Sequence, residues 1–76
     1  MKYKVGDKVI PRKDLLLGVD YPMADNPEET NDMTKTMLDL AERDFLTIKY
    51  VGRQYMVEEA DAPWGWTDSM FVGLAT

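Results

Sequence analysis

Hydrophobic and polar positions change their period several times along the chain, and each change marks an element. Over the first thirteen residues the β-favouring Tyr3, Val5, Val9 and Ile10 are broken only by Gly6-Asp7, a turn signal. Pro11 cannot donate to a ladder, so it belongs at a strand end or an edge. From Leu15 to Thr30 no period survives. Gly18, Pro22, Asn26, Pro27 and several aspartates punctuate this stretch, which reads as a long irregular loop. Loops of that length inside a compact domain are uncommon and often functional. A helical pattern then runs from Thr30 to about Asp44. Thr30, Asn31 or Asp32 can cap its first N–H groups, and Glu28 and Glu29 complement its positive end. At about 100° per residue, Met33, Met37, Leu40 and Ala41 share one face. Asp32 and Asp39 lie on a flank roughly 100–120° away, with Glu42 and Lys35 further round.

The β pattern returns at Phe45. Residues 45–51 (FLTIKYV) and 54–58 (QYMVE) flank Gly52-Arg53 and predict a hairpin. Glu59 to Pro63 is a second turn region, and an extended Trp64-Gly65-Trp66 would place both indoles on one face. Thr67 is suited to cap a single helical turn over about residues 67–70, before a short strand at Phe71 to Leu74. The expected fold is mainly β: a small barrel, whose closure removes sheet edges, with one inserted α-helix at about residues 30–44. Residues 1–76 would form one domain carrying an acidic loop–helix insertion at about 15–44.

Composition sharpens this picture. The 76 residues include no cysteine and no histidine, which excludes a disulfide staple and an ordinary zinc site. With 45% hydrophobic and 30% charged residues, the chain belongs to the soluble globular class. Its net charge of −5 argues against a general nucleic-acid binder. The charge is uneven: residues 1–13 carry a net +4, residues 14–44 a net −7 and residues 45–76 a net −2. Lys2 and Lys4 lead into Val5-Gly6-Asp7-Lys8 rather than an apolar stretch, and no apolar run approaches the roughly 20 residues of a membrane span. A cytoplasmic protein is expected.

Catalysis is poorly provided for. Without histidine or cysteine, acid–base work falls to carboxylates, lysines and tyrosines, and so small a chain can hardly surround a carboxylate pair with a water-excluding pocket. A binding protein without a cofactor is expected rather than an enzyme. Asp20, Asp25, Asn26, Glu28 and Glu29 resemble a calcium loop in composition only, since the D-x-[DN]-x-[DN]-G order is missing and Pro27 stiffens the middle. Three surfaces remain. Glu28, Glu29, Asp32, Asp39 and Glu42 would line one side of the loop and helix, either as a solubilising face or as a docking face for a positively charged partner. Trp64, with Tyr50, Tyr55 or Tyr21 beside it, could form an aromatic groove for a peptide, or the two indoles could belong to the core. Lys2, Lys4, Lys8, Arg12 and Lys13 could meet nucleic acid or form the polar face of an ordinary strand. Met33, Met37 and Leu40 could be a binding stripe or core packing.

Some stretches carry a family likeness. Tyr3-Lys4-Val5-Gly6-Asp7-Lys8-Val9, Arg12-Lys13-Asp14-Leu15, Met37-Leu38, Ala41, Thr47-Ile48-Lys49, Tyr55, Glu58-Glu59 and above all Trp66-Thr67-Asp68-Ser69-Met70-Phe71 resemble a group of small SH3-like barrel proteins. These are encoded mainly in phages and prophages of Gram-positive bacteria, and their fold is similar to the barrel repeat of Mind bomb-type ubiquitin ligases. The likeness is weakest between Gly18 and Asn31. It also departs at Ala41-Glu42-Arg43-Asp44, where the relatives usually have a glycine. The resemblance implies the barrel fold and a phage-encoded inhibitor or modulator of a host protein, for example a defence nuclease with a basic nucleic-acid-binding surface. A peptide-binding adaptor, a nucleic-acid-binding protein and a phage structural accessory protein are the alternatives.

Overall fold

A computed structural model describes residues 2–75, and strands dominate it. Strands β1 (Lys8–Pro11), β4 (Leu46–Val51), β5 (Tyr55–Val57) and β6 (Phe71–Leu74) form an antiparallel sheet in the order β5-β4-β1-β6. Strands β2 (Asp20–Met23) and β3 (Asn26–Asp32) form a separate antiparallel hairpin. The one α-helix, α1, is Lys35–Leu40, and a 3-10 turn, Asp68–Met70, leads into β6. Pro11 ends β1, where its missing N–H costs no ladder bond. The expected hairpin around Gly52 and the late turn before a closing strand are both present.

The stretch read as irregular differs most from expectation. Residues 20–32 are a hairpin, not a loop, and residues 30–32 are strand, not helix. In β2 the alternation is clear once the strand is known: Tyr21 and Met23 are buried while Asp20 and Pro22 are exposed. Four residues with a proline in them are too short to announce that period. β3 (NPEETND) has no hydrophobic residue at all, so its strand state comes from pairing and docking rather than from its own pattern. The helix is correspondingly shorter than the expected 30–44. Its N-cap is Thr34, whose hydroxyl accepts the Met37 N–H at 3.3 Å, and not Thr30, Asn31 or Asp32. At the other end the Lys13 ammonium donates to the carbonyl of the C-cap Ala41 (2.8 Å), an acceptor that the helix leaves open, and to that of Arg43 in the turn beyond (2.7 Å). The expected apolar face is nevertheless correct as a buried set: Met33, Met37, Leu40 and Ala41 are all in the core. Met33 reaches it from an isolated bridge to Leu17, just before the helix.

The core is built on aromatic contacts. Trp66, fully buried, stacks on Phe71 with ring centroids 5.7 Å apart, and Tyr3 meets Phe71 edge-on and Tyr55 at a tilt. The Tyr55 hydroxyl accepts the backbone N–H of Tyr3 at 3.0 Å. Reciprocal backbone bonds of 2.8 Å between Tyr55 and Trp66 cover the outer edge of β5.

No ladder joins the hairpin to the four-stranded sheet. Side chains do it on both sides. On one side the buried Asp68 carboxylate accepts the Ala24 N–H (2.8 Å) and the Ser69 hydroxyl donates to the Pro22 carbonyl (2.6 Å). On the other, the Gln54 amide donates to the Thr30 carbonyl (3.0 Å) and to Glu29 (3.2 Å), and the Asn31 amide to the Gly65 carbonyl (2.6 Å). A β-carbon at Gly65 would run into the Gln54 amide oxygen, the far end of a flexible side chain that would have to move aside. Gly65→Ala must therefore displace Gln54 and release its two bonds to β3, a loss of about 1–2 kcal/mol. Gln54→Ala should cost the same, and the double variant no more than either alone. Chemical denaturation of the three variants checks this, and fully additive losses would show that Gly65 does not act through Gln54.

Candidate functional site

The hairpin gathers more negative charge than any other element. Asp20, Asp25, Glu28, Glu29 and Asp32 lie on β2, on β3 or in the turn between them, and no lysine or arginine occurs between Lys13 and Lys35. Pairing register sorts them by face. Tyr21 opposes Asn31 on the inner face, while Asp20 opposes Asp32 and Pro22 opposes Thr30 on the outer one. Two aspartates thus sit directly across from each other on adjacent strands. Carboxylates in that position repel and weaken the pairing. Among the described residues neither forms an ion pair; the salt bridges are Arg12–Asp14 at 2.9 Å and Lys35–Asp39 at 3.6 Å.

The five acids expected on one helix side are therefore divided. Glu28, Glu29 and Asp32 belong to the hairpin, with Glu29 half-buried against Gln54. Asp39 is on α1, shared with Lys35, and Glu42 follows the helix beside a groove of about 230 Å³ lined also by Arg12, Lys13, Leu15, Leu38 and Ala41. Asp20 and Asp25 join the hairpin face, which the residue order alone did not reveal because the hairpin itself was not read. An open recess of about 490 Å³ next to the hairpin turn is lined by Met23, Asp25, Asn26, Glu29 and Arg53. No group of three metal-ligating side chains occurs among the described residues.

The aromatic set is not brought together either. Tyr55 is fully buried, and Tyr21 is buried with its hydroxyl accepting the Leu16 N–H (2.9 Å) and its ring 5.5 Å from the Arg12 guanidinium. Tyr50 is exposed, but its ring lies over Gly52. Trp66 is in the core. Trp64 is half-buried against the core and keeps part of its surface, and Gly65 next to it is the residue that Asn31 binds. In the basic block, Arg12 is engaged by Asp14 and the Ser69 carbonyl, and Lys13 by the helix end. Lys2, Lys4 and Lys8 are exposed, with Lys8 over the Phe45 ring. Among the described residues, no helix is long and apolar enough to cross a membrane.

Two buried hydroxyls behave differently. Burial pushes the Tyr3 hydroxyl above its ordinary value, and the charge of Asp68 adds to it; Tyr3 Oη has no hydrogen-bond partner among the described residues. Burial raises Tyr55 too, partly offset by the Tyr3 N–H that its oxygen accepts. The fold favours the neutral form of both, so this stability is complete below about pH 10 and is lost as pH rises through the folded-state values.

No protein-family model matches the chain, and no curated protein and no solved structure matches it. The site thus rests on its own geometry. Tyr3→Phe removes an unpartnered group and should cost less than about 1 kcal/mol, while softening the alkaline loss of stability. Tyr55→Phe strands the buried Tyr3 N–H and should cost about 1–3 kcal/mol. Denaturation curves at neutral and alkaline pH test the contrast, which equal costs for the two variants would refute.

Proposed function

We propose that this chain is a non-enzymatic macromolecule-binding module with an SH3-like barrel as its scaffold, docking through the acidic hairpin on a positively charged protein surface. The observation that carries this reading is the Asp20–Asp32 pair: like charges directly opposed, neither of them in an ion pair among the described residues. A cationic partner would remove that repulsion on binding, and the surrounding Asp25 and Glu28 would speed the encounter. A surface built for nucleic acid has the required charge. The resemblance to small phage barrels extends the proposal to an inhibitor or modulator of a host protein, acting in the host cytoplasm. The side-chain bonds that fasten the hairpin to the sheet on both sides support the barrel scaffold.

A second reading keeps Trp64 as the contact. Its half-exposed indole lies next in sequence to Gly65, which the hairpin residue Asn31 binds, so an aromatic anchor and acidic residues would meet one extended basic peptide.

The two readings separate by experiment. Asp20→Asn and Asp32→Asn should each stabilise the fold, by about 0.2–1 kcal/mol at low salt. The double variant should lose most of its affinity for a poly-arginine peptide and for any partner captured from host lysate. Trp64→Ala should leave both affinities nearly intact. Unchanged binding after neutralisation of the aspartates, with loss after Trp64→Ala, would select the peptide adaptor instead.

A further inference from the structure

The segment that leads into the hairpin carries a run of apolar side chains that the fold leaves outside. Leu15 is buried, but Leu16 and Leu17 are 62% and 65% exposed and Val19 is 41% exposed, with the exposed Gly18 between them. A solvated loop has no need of four consecutive exposed positions without a polar side chain. Nor is the segment loose. The Leu16 carbonyl accepts the Val19 N–H at 3.3 Å, closing a turn in which Gly18 takes a φ of +75°, where a side chain would be strained. The Tyr21 hydroxyl accepts the Leu16 N–H at 2.9 Å, and the Met33 carbonyl accepts the Gly18 N–H at 3.0 Å. Two residues of the core thus hold the turn in place while its own side chains stay in solvent.

The position of the turn selects its occupant. Val19 is followed directly by Asp20, and Leu17 bridges Met33, which follows Asp32. The turn therefore sits at the open end of the hairpin, where Asp20 and Asp32 oppose each other. Arg12, over the Tyr21 ring, is already paired with Asp14. Building on the docking role of the acidic hairpin, we propose that residues 16–19 are its apolar anchor. The partner is then a protein surface with an apolar centre flanked by lysines or arginines, of which a basic amphipathic segment is the simplest form. Other occupants are disfavoured by charge. A second copy using the same face would bring two aspartate pairs together, and anionic lipid or nucleic acid would meet them with its own negative charge. An uncharged bilayer would offer the aspartates nothing in exchange for their water. Against a cationic amphipathic surface both parts gain: the leucines leave water and the aspartates lose their mutual repulsion. Because the turn is fixed beforehand, docking costs it little conformational freedom.

Two synthetic peptides of equal length and equal arginine content test this, one with serine and the other with leucine at the remaining positions. In titrations at moderate salt, the protein should bind the arginine–leucine peptide about tenfold more tightly or better. The double variant Leu16→Ser, Leu17→Ser should abolish that preference. Its affinity for the arginine–serine peptide and its melting temperature should not change, since both leucines are exposed. The pair Asp20→Asn, Asp32→Asn should weaken binding of both peptides. Equal affinity for the two peptides overturns the anchor and leaves the acidic docking face standing. So does a preference that survives the serine variant and is lost in Trp64→Ala. Binding of both peptides that ignores the asparagine pair overturns the docking face and the anchor together. Leucine-dependent binding to phosphatidylcholine vesicles would assign the turn to a lipid surface instead.

Discussion

A two-stranded hairpin is marginal in water by itself, and here one of its strands has no hydrophobic residue. The β2–β3 unit therefore depends on being held from outside, and the buried carboxylate of Asp68 is its anchor. With Ser69 it fixes β2 to the 3-10 turn, and the turn is fixed in place by the Trp66–Phe71 stack beneath it. Gln54 and Asn31 then secure β3 on the opposite side. Remove the anchor, and the acidic face loses the geometry that sets Asp20 across from Asp32. The acidic face and the hydrophobic core are thereby joined in part through a few polar bonds.

This division explains what could be read from the residues alone. The hairpin at Gly52, the turn after Thr67 and the closing strand at Phe71 are written in local pattern, since each combines β-favouring runs with turn chemistry. The buried set Met33, Met37, Leu40 and Ala41 was legible for the same reason. The hairpin at 20–32 was not. Its apolar period is two residues long, Tyr21 and Met23, and its strand state comes from partners more than thirty positions away, at Gly65 and Asp68. Acidity in this region was plain from composition, but its arrangement needed the register. Tyr55 and Tyr21 lie in the core rather than beside Trp64, because tyrosine is at home in a core when its hydroxyl finds a partner, as both do.

The charges also gain direction. Lys13 and Arg12, the end of the basic block, are spent on the helix terminus and on Asp14, so the positive side of the molecule is smaller than its lysine and arginine count suggests. The acidic hairpin, in contrast, keeps its carboxylates largely in solvent. The surface is thus weighted toward one sign more strongly than the net charge of −5 conveys.

The Asp68 anchor has a further meaning for the order in which the molecule is made. Asp68 and Ser69 lie 44 and 47 positions beyond the hairpin groups they bind. On the ribosome, residues 20–32 emerge long before their fasteners, so the nascent chain carries its acids without a shape. Contacts of such long range also slow folding relative to chain length. The acidic surface takes its shape only after Asp68 and Ser69 have been synthesised, and a product that stops before them would carry the charge without the arrangement.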